Sequence, residues 1–470
     1  MRSGILFSDL GSTAIALAAT DPREPIARCC QGLENATGLK GKVYLPKSTE
    51  YEGRLRTYWS TGAALAPWCM VQPLTAQDVS ITIKTLVAND CPFGIRGGGH
   101  GSFPLSNSVK DGVTIDFGNM NATTWNPDTK LASIRPGGHW QSVYDALAPH
   151  GVVVTGGRAG TVGTGGFLAG GGNSFHSASH GMACDTVANF EIVLADGSII
   201  NANATNHPDL WQALKGGSGN FGLITRFDMY PIEFPDPKNP VIWGDENSSS
   251  LVYWAYLPQV IGGTMINAAI ENTLAKVDIL SSVTNELGSG QPAGFRNIWF
   301  TAAFRNDARP MNYAVEKFFK LNASLEKIAP SSKTGLNTLC MFQPITKSIV
   351  DKGIANGGNV MGLDKYIKNG NGMMFLVTVA LNGEEEEKLA TPMVAAYLND
   401  VDAYAASLGL KWEWKYLNYA HKSQVVIPTF GEEAVKKLRA ASAKYDPEGV
   451  FQRLRSSGFK ISGENETDEL

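Results

Sequence analysis

No stretch of this chain stays apolar for the roughly 20 residues that a membrane-crossing helix needs, and no block of Lys or Arg stands out among its 40 basic residues. Charged residues are only 18% of the 470, and 44 acidic side chains bring the formal charge to −4. The reading therefore excludes a membrane span, and it excludes nucleic acid or an anionic membrane as a primary partner, because no basic face is present to attract either. Cysteine is scarce too: six residues, none in a Cys-x-x-Cys pair, so neither a zinc ribbon nor a thioredoxin-type site is expected, and no metal site is assigned. One of the adjacent Cys29 and Cys30 paired to Cys69 would pin the N-terminal arm in an oxidising compartment. Cys91, Cys184 and Cys340 read as buried thiols. Two nucleotide signatures are also missing. The Gly-x-Gly-x-x-Gly spacing at 163–168 is incomplete, and Lys215 precedes its glycines rather than following them, so neither a Rossmann fingerprint nor a Walker loop is present.

What the chain does have is glycine, 51 residues, concentrated in three clusters. The first, Gly94-Ile-Arg-Gly-Gly-Gly-His-Gly101, follows a short expected strand at 91–96 that is itself preceded by a helix from the cap Thr75-Ala-Gln-Asp78 to Asn89. A loop without Cβ atoms lets peptide N–H groups close on a diphosphate, and this one delivers a single imidazole, His100. The second cluster runs from Thr155 to Gly172, and the third, Lys215-Gly-Gly-Ser-Gly-Asn-Phe-Gly222, opens a strand at 223–226. Glycine costs backbone entropy at every position, so three such runs imply close approach to something elongated, such as a dinucleotide.

From about 65 to 235, short apolar runs alternate with amphipathic segments. Strands are expected at 113–117, 131–134, 152–155, 190–194 and 198–200, the last two joined by an Asp196-Gly197 hairpin. Helices fit 140–148 and 208–214. Pro231 to Pro240 breaks the pattern. Beyond it the expected strands are 251–257, 298–304, 373–381 and 410–419, with helices at 313–329, 386–408 and 432–445: an antiparallel sheet backed by helices. His176, His180 and Cys184 recur every four residues, as helical metal ligands would, but their Ser/Gly-rich setting predicts a loop. The first residues, with Arg2, an apolar middle broken by Asp9 and small residues near Ala19, resemble a secretory leader. Asn-x-Ser/Thr acceptors at Asn35, Asn121, Asn203, Asn247, Asn322 and Asn465 agree with a secretory route or secretion, and the same features are compatible with an intracellular place. The tail Thr467-Asp-Glu-Leu470 is similar to a retention signal without its basic first residue.

Six segments in the same order, Arg96–Gly101, 155–172, Ala183–Gly197, Pro208–Gly217, Asn220–Arg226 and Tyr416–Gln452, closely resemble the fungal FAD-linked oxidases of the berberine-bridge-enzyme-like group, in the vanillyl-alcohol-oxidase superfamily. The resemblance spans about Cys30 to Gln452. It implies an α+β fold: a two-part FAD-binding domain of the PCMH type with an inserted substrate domain. The corresponding division is a leader or arm at 1–29, the FAD domain at 30–235, the substrate domain at 236–419, a C-terminal return at 420–455 and a tail at 456–470. FAD contacts are expected from Ile95, Arg96, Gly97, Gly98, Gly99 and Gly101 in the first loop. The second loop would supply Gly156, Gly157, Gly160, Thr161, Gly163, Thr164 and Gly166, and the third Gly222 and Ile224. His100 matches the histidine bonded to the flavin 8α-methyl. A neutral imidazole is a competent nucleophile for that bond. Ala159 stands where many relatives carry a second, cysteinyl link, so a singly linked flavin is expected.

In the expected strand at 411–420, period-two alternation sets Trp412, Trp414, Tyr416 and Asn418 on one face and Glu413, Lys415, Leu417 and Tyr419 on the other. The resemblance brings this strand to the flavin. Tyr416 is the candidate base, Asn418 an orienting group, and Glu413 a second base if the register slips by one. A phenol titrates near 10, so Tyr416 needs nearby positive charge, from Lys415 or Arg158. The implied activity is oxidation of a small organic molecule, a secondary-metabolite intermediate, by hydride transfer to flavin with reoxidation by dioxygen. The alternatives are isomerisation or cyclisation without redox change, oxidation of an oligosaccharide, or a dehydrogenase that uses another acceptor in place of dioxygen. Oligomeric state is not legible.

Overall fold

The computed structural model describes residues 24–233 and 293–462, with 284, 285 and 288 between them. The leader, the expected strand at 251–257, the acceptors Asn247 and Asn465 and the Thr467–Leu470 tail lie outside the described residues.

The first sheet holds β1 (Val43–Tyr44), β2 (Cys69–Val71), β3 (Phe93–Arg96) and β4 (Val113–Asp116) in the order β1-β2-β4-β3. β2 and β3 both run parallel to β4, and such pairs need long crossovers. One crossover contains α1 (Ala76–Ala88). Its start is fixed by a reciprocal cap: Asp78 N–H donates to Thr75 Oγ1 at 3.1 Å and Thr75 N–H to Asp78 Oδ2 at 3.2 Å. The second sheet is antiparallel, β5 (Thr123–Asn126), β6 (Leu131–Ile134), β8 (Val187–Val193), β9 (Ile199–Asn203) and β10 (Leu223–Met229), in the order β5-β6-β10-β8-β9. β8 and β9 join through Asp196-Gly197, where Gly197 takes φ +80° and Asp196 Oδ1 accepts from Ser198 N–H. A small pair, β7 (Val152–Val153) with β11 (Ile232–Glu233), lies beside them. Helices α2 (Trp140–Leu147), α3 (Thr164–Ala169) and α4 (Pro208–Leu214) complete this part.

The third sheet, β12 (Arg296–Arg305), β13 (Asn337–Ile345), β14 (Gly372–Leu381) and β15 (Lys411–Trp412), has the order β13-β14-β12-β15 and is antiparallel. One face carries Ile298, Phe300, Phe304, Phe375, Val377 and Val379 into a core closed by α5 (Ala308–Ile328) and α7 (Glu384–Ser407). Between them α6 (Lys347–Ala355) packs on the turn at Ser177–His180. α8 (Glu432–Tyr445) leads into the last segment, which returns to β3: Phe93 N–H donates to Leu454 O and Ser456 N–H to Phe93 O, both at 2.8 Å.

Three expectations are corrected. The strand expected to run to residue 419 pairs only over Lys411–Trp412. After that, side chains take over from the ladder, with Trp414 Nε1 donating to Met361 O at 3.0 Å and Leu417–Tyr419 folding into a tight turn. Residues 177–180 form one helical turn rather than a loop. Cys91 is no free thiol: it bonds to Cys29, while Cys30 bonds to Cys69. Cys184 and Cys340 are free and buried.

Candidate active site

β3 hands the chain to the first glycine loop through a buried anchor. Arg96 donates to Arg54 O at 2.8 Å and Thr57 Oγ1 at 2.7 Å, lies 3.4 Å from Asp116 Oδ2, and covers the Tyr58 ring at 3.8 Å. The loop that follows is held by its carbonyls: Gly99 O accepts from Trp59 N–H at 3.0 Å and Gly98 O lies 3.1 Å from His139 Nε2. Among the described residues, no protein group accepts from the N–H of Gly98, Gly99, His100 or Gly101. The second glycine loop abuts the first, backbone to backbone. A Cβ at Gly163 would lie 2.6 Å from Gly98 Cα, and one at Gly97 2.8 Å from Pro136 O.

A cavity of about 820 Å³ opens on this junction and extends to the third sheet. Its glycine wall includes Ile95, Gly97, Gly98, Gly99, His100 and Gly101 from the first loop and Ala159, Thr161, Gly163 and Gly166 from the second. Gly222 and Ile224 join from β10 and its approach. The C-terminal segment adds Arg455, a buried cation that donates to Asn220 Oδ1 and Phe459 O at 2.8 Å and lies beside Gly219. Loop amides without a protein acceptor, and a buried guanidinium lining the same cavity, suit an anionic group such as a diphosphate. His100 stacks on Trp59 with centroids 4.2 Å apart, and burial pulls its imidazole down to about 4, so it is uncharged at neutral pH.

The opposite wall comes from the third sheet, where Leu339, Met341 and Gln343 alternate along β13, and from Trp299 on β12. At their junction with residues 416–419 lies a connected polar cluster. Tyr416, only 1% exposed, accepts from Asn173 N–H at 2.8 Å and from Asn418 Nδ2 at 3.2 Å. Arg158 donates to Tyr419 Oη at 2.7 Å and to Gln343 Oε1 at 2.5 Å, and Asn173 Nδ2 also reaches Gln343 Oε1, at 2.7 Å.

Of the residues expected at the cofactor, Arg96, Gly156, Gly157, Gly160 and Thr164 stand behind the cavity wall rather than in it. Gly156 and Gly157 pack against the Trp140 ring, where any Cβ would collide; Gly160 N–H donates to Thr284 O, and Thr164 Oγ1 to Arg135 O. Tyr416 and Asn418 line the cavity; Glu413 does not. The Glu413 side chain is 69% exposed and pairs with Lys411 at 3.1 Å, because β15 leaves the sheet before any register slip could turn it inward. Nor does either expected cation bring the Tyr416 phenol down. Lys415 is engaged by Asp402 at 3.1 Å, and burial raises the phenol well above its ordinary range, outweighing Arg158. Gln343, Asn173, Tyr419 and Arg455 join the site through tertiary structure and are not among the residues expected from the sequence. For Gln343 the signal was muted by Pro344, which argues against a central strand, and β13 is an edge strand, where proline is tolerated.

Residues 67–203 match the family model described as an FAD binding domain. The chain is similar to an FAD-dependent monooxygenase of Aspergillus calidoustus, at 34% identity over 93% of this chain and 91% of that one. Among solved structures, a BBE-like protein of Physcomitrella patens aligns with a TM-score of 0.62 at 16% identity, covering 93% of this chain and 98% of the other. The glucooligosaccharide oxidase of Acremonium strictum, described with a 6-S-cysteinyl, 8α-N1-histidyl FAD, aligns at 0.65 and 16%, covering 91% and 97%. These two likenesses concern the fold.

Proposed function

The chain belongs to the fungal FAD-dependent oxidoreductases of the berberine-bridge-enzyme-like group, and from that premise we propose that it is an oxidase with its flavin tethered to His100. Its substrate is a compact, largely apolar small molecule, an intermediate of secondary metabolism, carrying an oxidisable C–H next to O–H or N–H. The observation that carries this reading is one continuous cavity with the glycine loops and His100 on one side and the Tyr416, Tyr419 and Arg158 cluster on the other. FAD, when bound, supplies a two-electron acceptor that dioxygen can restore, giving peroxide.

The chain's own residues divide the remaining work. The amides of Gly98, Gly99, His100 and Gly101, with the Arg455 guanidinium, would hold the diphosphate. Arg96 fixes the first loop from behind. Trp299, Leu339, Met341 and Phe342 give the substrate side an apolar lining that limits water and suits an aromatic or polyketide-like ring better than a sugar chain. Tyr416 already accepts two N–H donors, so its own proton turns outward, where it donates to a substrate oxygen and orients it. Tyr419 receives a hydrogen bond from Arg158, and a proton passed through it leaves charge opposed by that guanidinium. We assign proton transfer to this Tyr419–Arg158 pair and orientation to Tyr416 and Asn418. With Ala159 lining the second loop, one tether is expected rather than the two described for the Acremonium enzyme.

Acid precipitation of the purified protein followed by peptide mass analysis tests the tether: the expected result is a yellow pellet and a His100 peptide heavier by one FAD. Anaerobic addition of candidate substrates should bleach the flavin, and readmitted oxygen should yield one peroxide per product with no labelled oxygen in it. Incorporation of labelled dioxygen into product would replace the oxidase reading with an oxygenase one.

A further inference from the structure

Trp59 lies outside the three glycine clusters in sequence but meets the first of them in space. Its indole is 4% exposed and stacks on the His100 imidazole at a centroid distance of 4.2 Å with only 10° between the planes. The stack is built rather than incidental. Trp59 N–H donates to Gly99 O at 3.0 Å, and Trp59 O accepts from Gly294 N–H at 3.0 Å. Its ring edge meets Trp299 at 5.5 Å and 81°. The flanking residues are clamped as well: Tyr58 lies under the Arg96 guanidinium, Ser60 Oγ donates to Ser102 O at 3.1 Å, and Arg54 grips Asp116 through two bonds of 2.7 and 2.8 Å. The arm that carries this segment is stapled on both sides of the first loop's sheet, by Cys30–Cys69 at β2 and by Cys29–Cys91 just before β3.

A histidine on a glycine loop has little else to hold its ring, because the neighbouring positions 97, 98, 99 and 101 present no side chains. Left alone, an imidazole would sample its rotamers and meet the reacting carbon only part of the time; a fixed ring converts that search into a standing orientation, which is where large accelerations come from. The indole covers one face of the imidazole and so sets the plane of a ring that lines the cavity.

We propose that Trp59 is a positioning residue for tethering: it fixes the plane of His100 so that an imidazole nitrogen faces the flavin methyl group. This inference rests on the covalent-flavin reading above. In the step concerned, a carbon–nitrogen bond forms between the imidazole and the 8α-carbon. That carbon gives up one C–H proton and the imidazole its N–H proton. Both protons and the electron pair end on the flavin ring, which is thereby reduced, and dioxygen reoxidises it to leave hydrogen peroxide.

The test compares wild type with Trp59→Phe and Trp59→Leu, each expressed as the full chain. For each, total flavin is divided into the acid-precipitable part and the part released by acid, and the rate of attachment is followed after adding FAD to flavin-depleted protein. Trp59→Leu should bind at least half the wild-type total flavin yet attach it at least tenfold more slowly, and Trp59→Phe should stay within threefold of wild type. Equal attachment rates in wild type and Trp59→Leu overturn the proposal. Should Trp59→Leu fail to fold, Trp59→Met, which fills the slot without a π face, is judged by the same ratio. Wild-type protein whose flavin is fully released by acid sinks the tether itself, whatever the variants do.

Discussion

Gly163 and Gly98 meet backbone to backbone, so that a methyl group placed on Gly163 would lie 2.6 Å from Gly98 Cα. Two loops that are far apart in sequence thus form one continuous wall only because neither carries a side chain at the crossing. Gly163→Ala should force them apart. Overpacking of this kind costs about 1–3 kcal/mol, too little to unfold a chain whose described residues form three hydrophobic cores but enough to open the cradle. The expected result is a melting temperature lowered by a few degrees and a flavin-to-protein ratio reduced at least fivefold. Full flavin occupancy in Gly163→Ala would mean that the crossing is not part of the cofactor's seat.

The two disulfides close loops of 39 and 62 residues. Loop-closure entropy at those lengths corresponds to about 4 kcal/mol of stability for each bond taken alone. The loops overlap, so removing both costs less than twice that. Cys30→Ser and Cys29→Ser should each shift the denaturant midpoint down by the equivalent of about 2–4 kcal/mol, and reductant should lower the wild type to the level of the double variant. A midpoint indifferent to reductant would show that the bonds are absent from the folded protein.

Acid sensitivity follows from two buried histidines outside the cavity wall. His176 and His421 are both pulled by burial from 6.5 down to about 4, and His421 is stacked 4.3 Å from Phe300. Between those values the unfolded chain takes up a proton at each site that the folded chain refuses. The contribution of these two sites is therefore fully present above about pH 6.5, is lost as the pH drops toward 4, and changes no further below. The ceiling is roughly 3 kcal/mol per histidine. Melts recorded from pH 7.5 to 4.5 should show this decline, and His421→Phe should flatten part of it. A melting temperature that stays constant across the window removes the argument.

How much of this could be read from the chain depended on the range of the interaction. The α1 start was legible because Thr75 and Asp78 cap each other across three residues, and the β8–β9 hairpin because Asp196-Gly197 is a local turn signal. The glycine loops were legible as loops, but which glycines face the cavity was not: Gly156 and Gly157 serve the Trp140 ring, while Gly163 lines the cavity at the crossing. Period-two alternation sets Tyr416 and Tyr419 on opposite faces, yet both line the cavity, because the chain leaves the ladder after Trp412 and folds into a tight turn that alternation has no way to see. The Cys29–Cys91 bond is not legible, because sequence spacing does not order the partners of adjacent cysteines. Trp59 gave no signal at all: its partner is a ring brought to it by tertiary structure.

The last prediction separates two tyrosines whose rings meet edge to face at 4.8 Å. Tyr419→Phe removes the oxygen that Arg158 holds at 2.7 Å, and with it the proton carrier, while leaving the packing of the ring. General acid–base groups contribute about 10²–10⁴-fold, so kcat should fall by at least 10² with KM changed less than threefold, flavin content intact and the melting temperature within a degree or two. Tyr416→Phe instead strips the Asn173 N–H and Asn418 Nδ2 of their shared acceptor. An abandoned buried donor costs about 1–3 kcal/mol, so this variant should melt lower and show its kinetic loss mainly in KM, because the substrate's oxygen has lost the group that orients it. Steady-state kinetics and melts on the two variants decide the assignment. If Tyr419→Phe keeps kcat within twofold while Tyr416→Phe loses 10² or more in kcat, the proton passes through Tyr416. Its burial would then have to be offset, in the complex with substrate, by the two N–H donors that already converge on its oxygen.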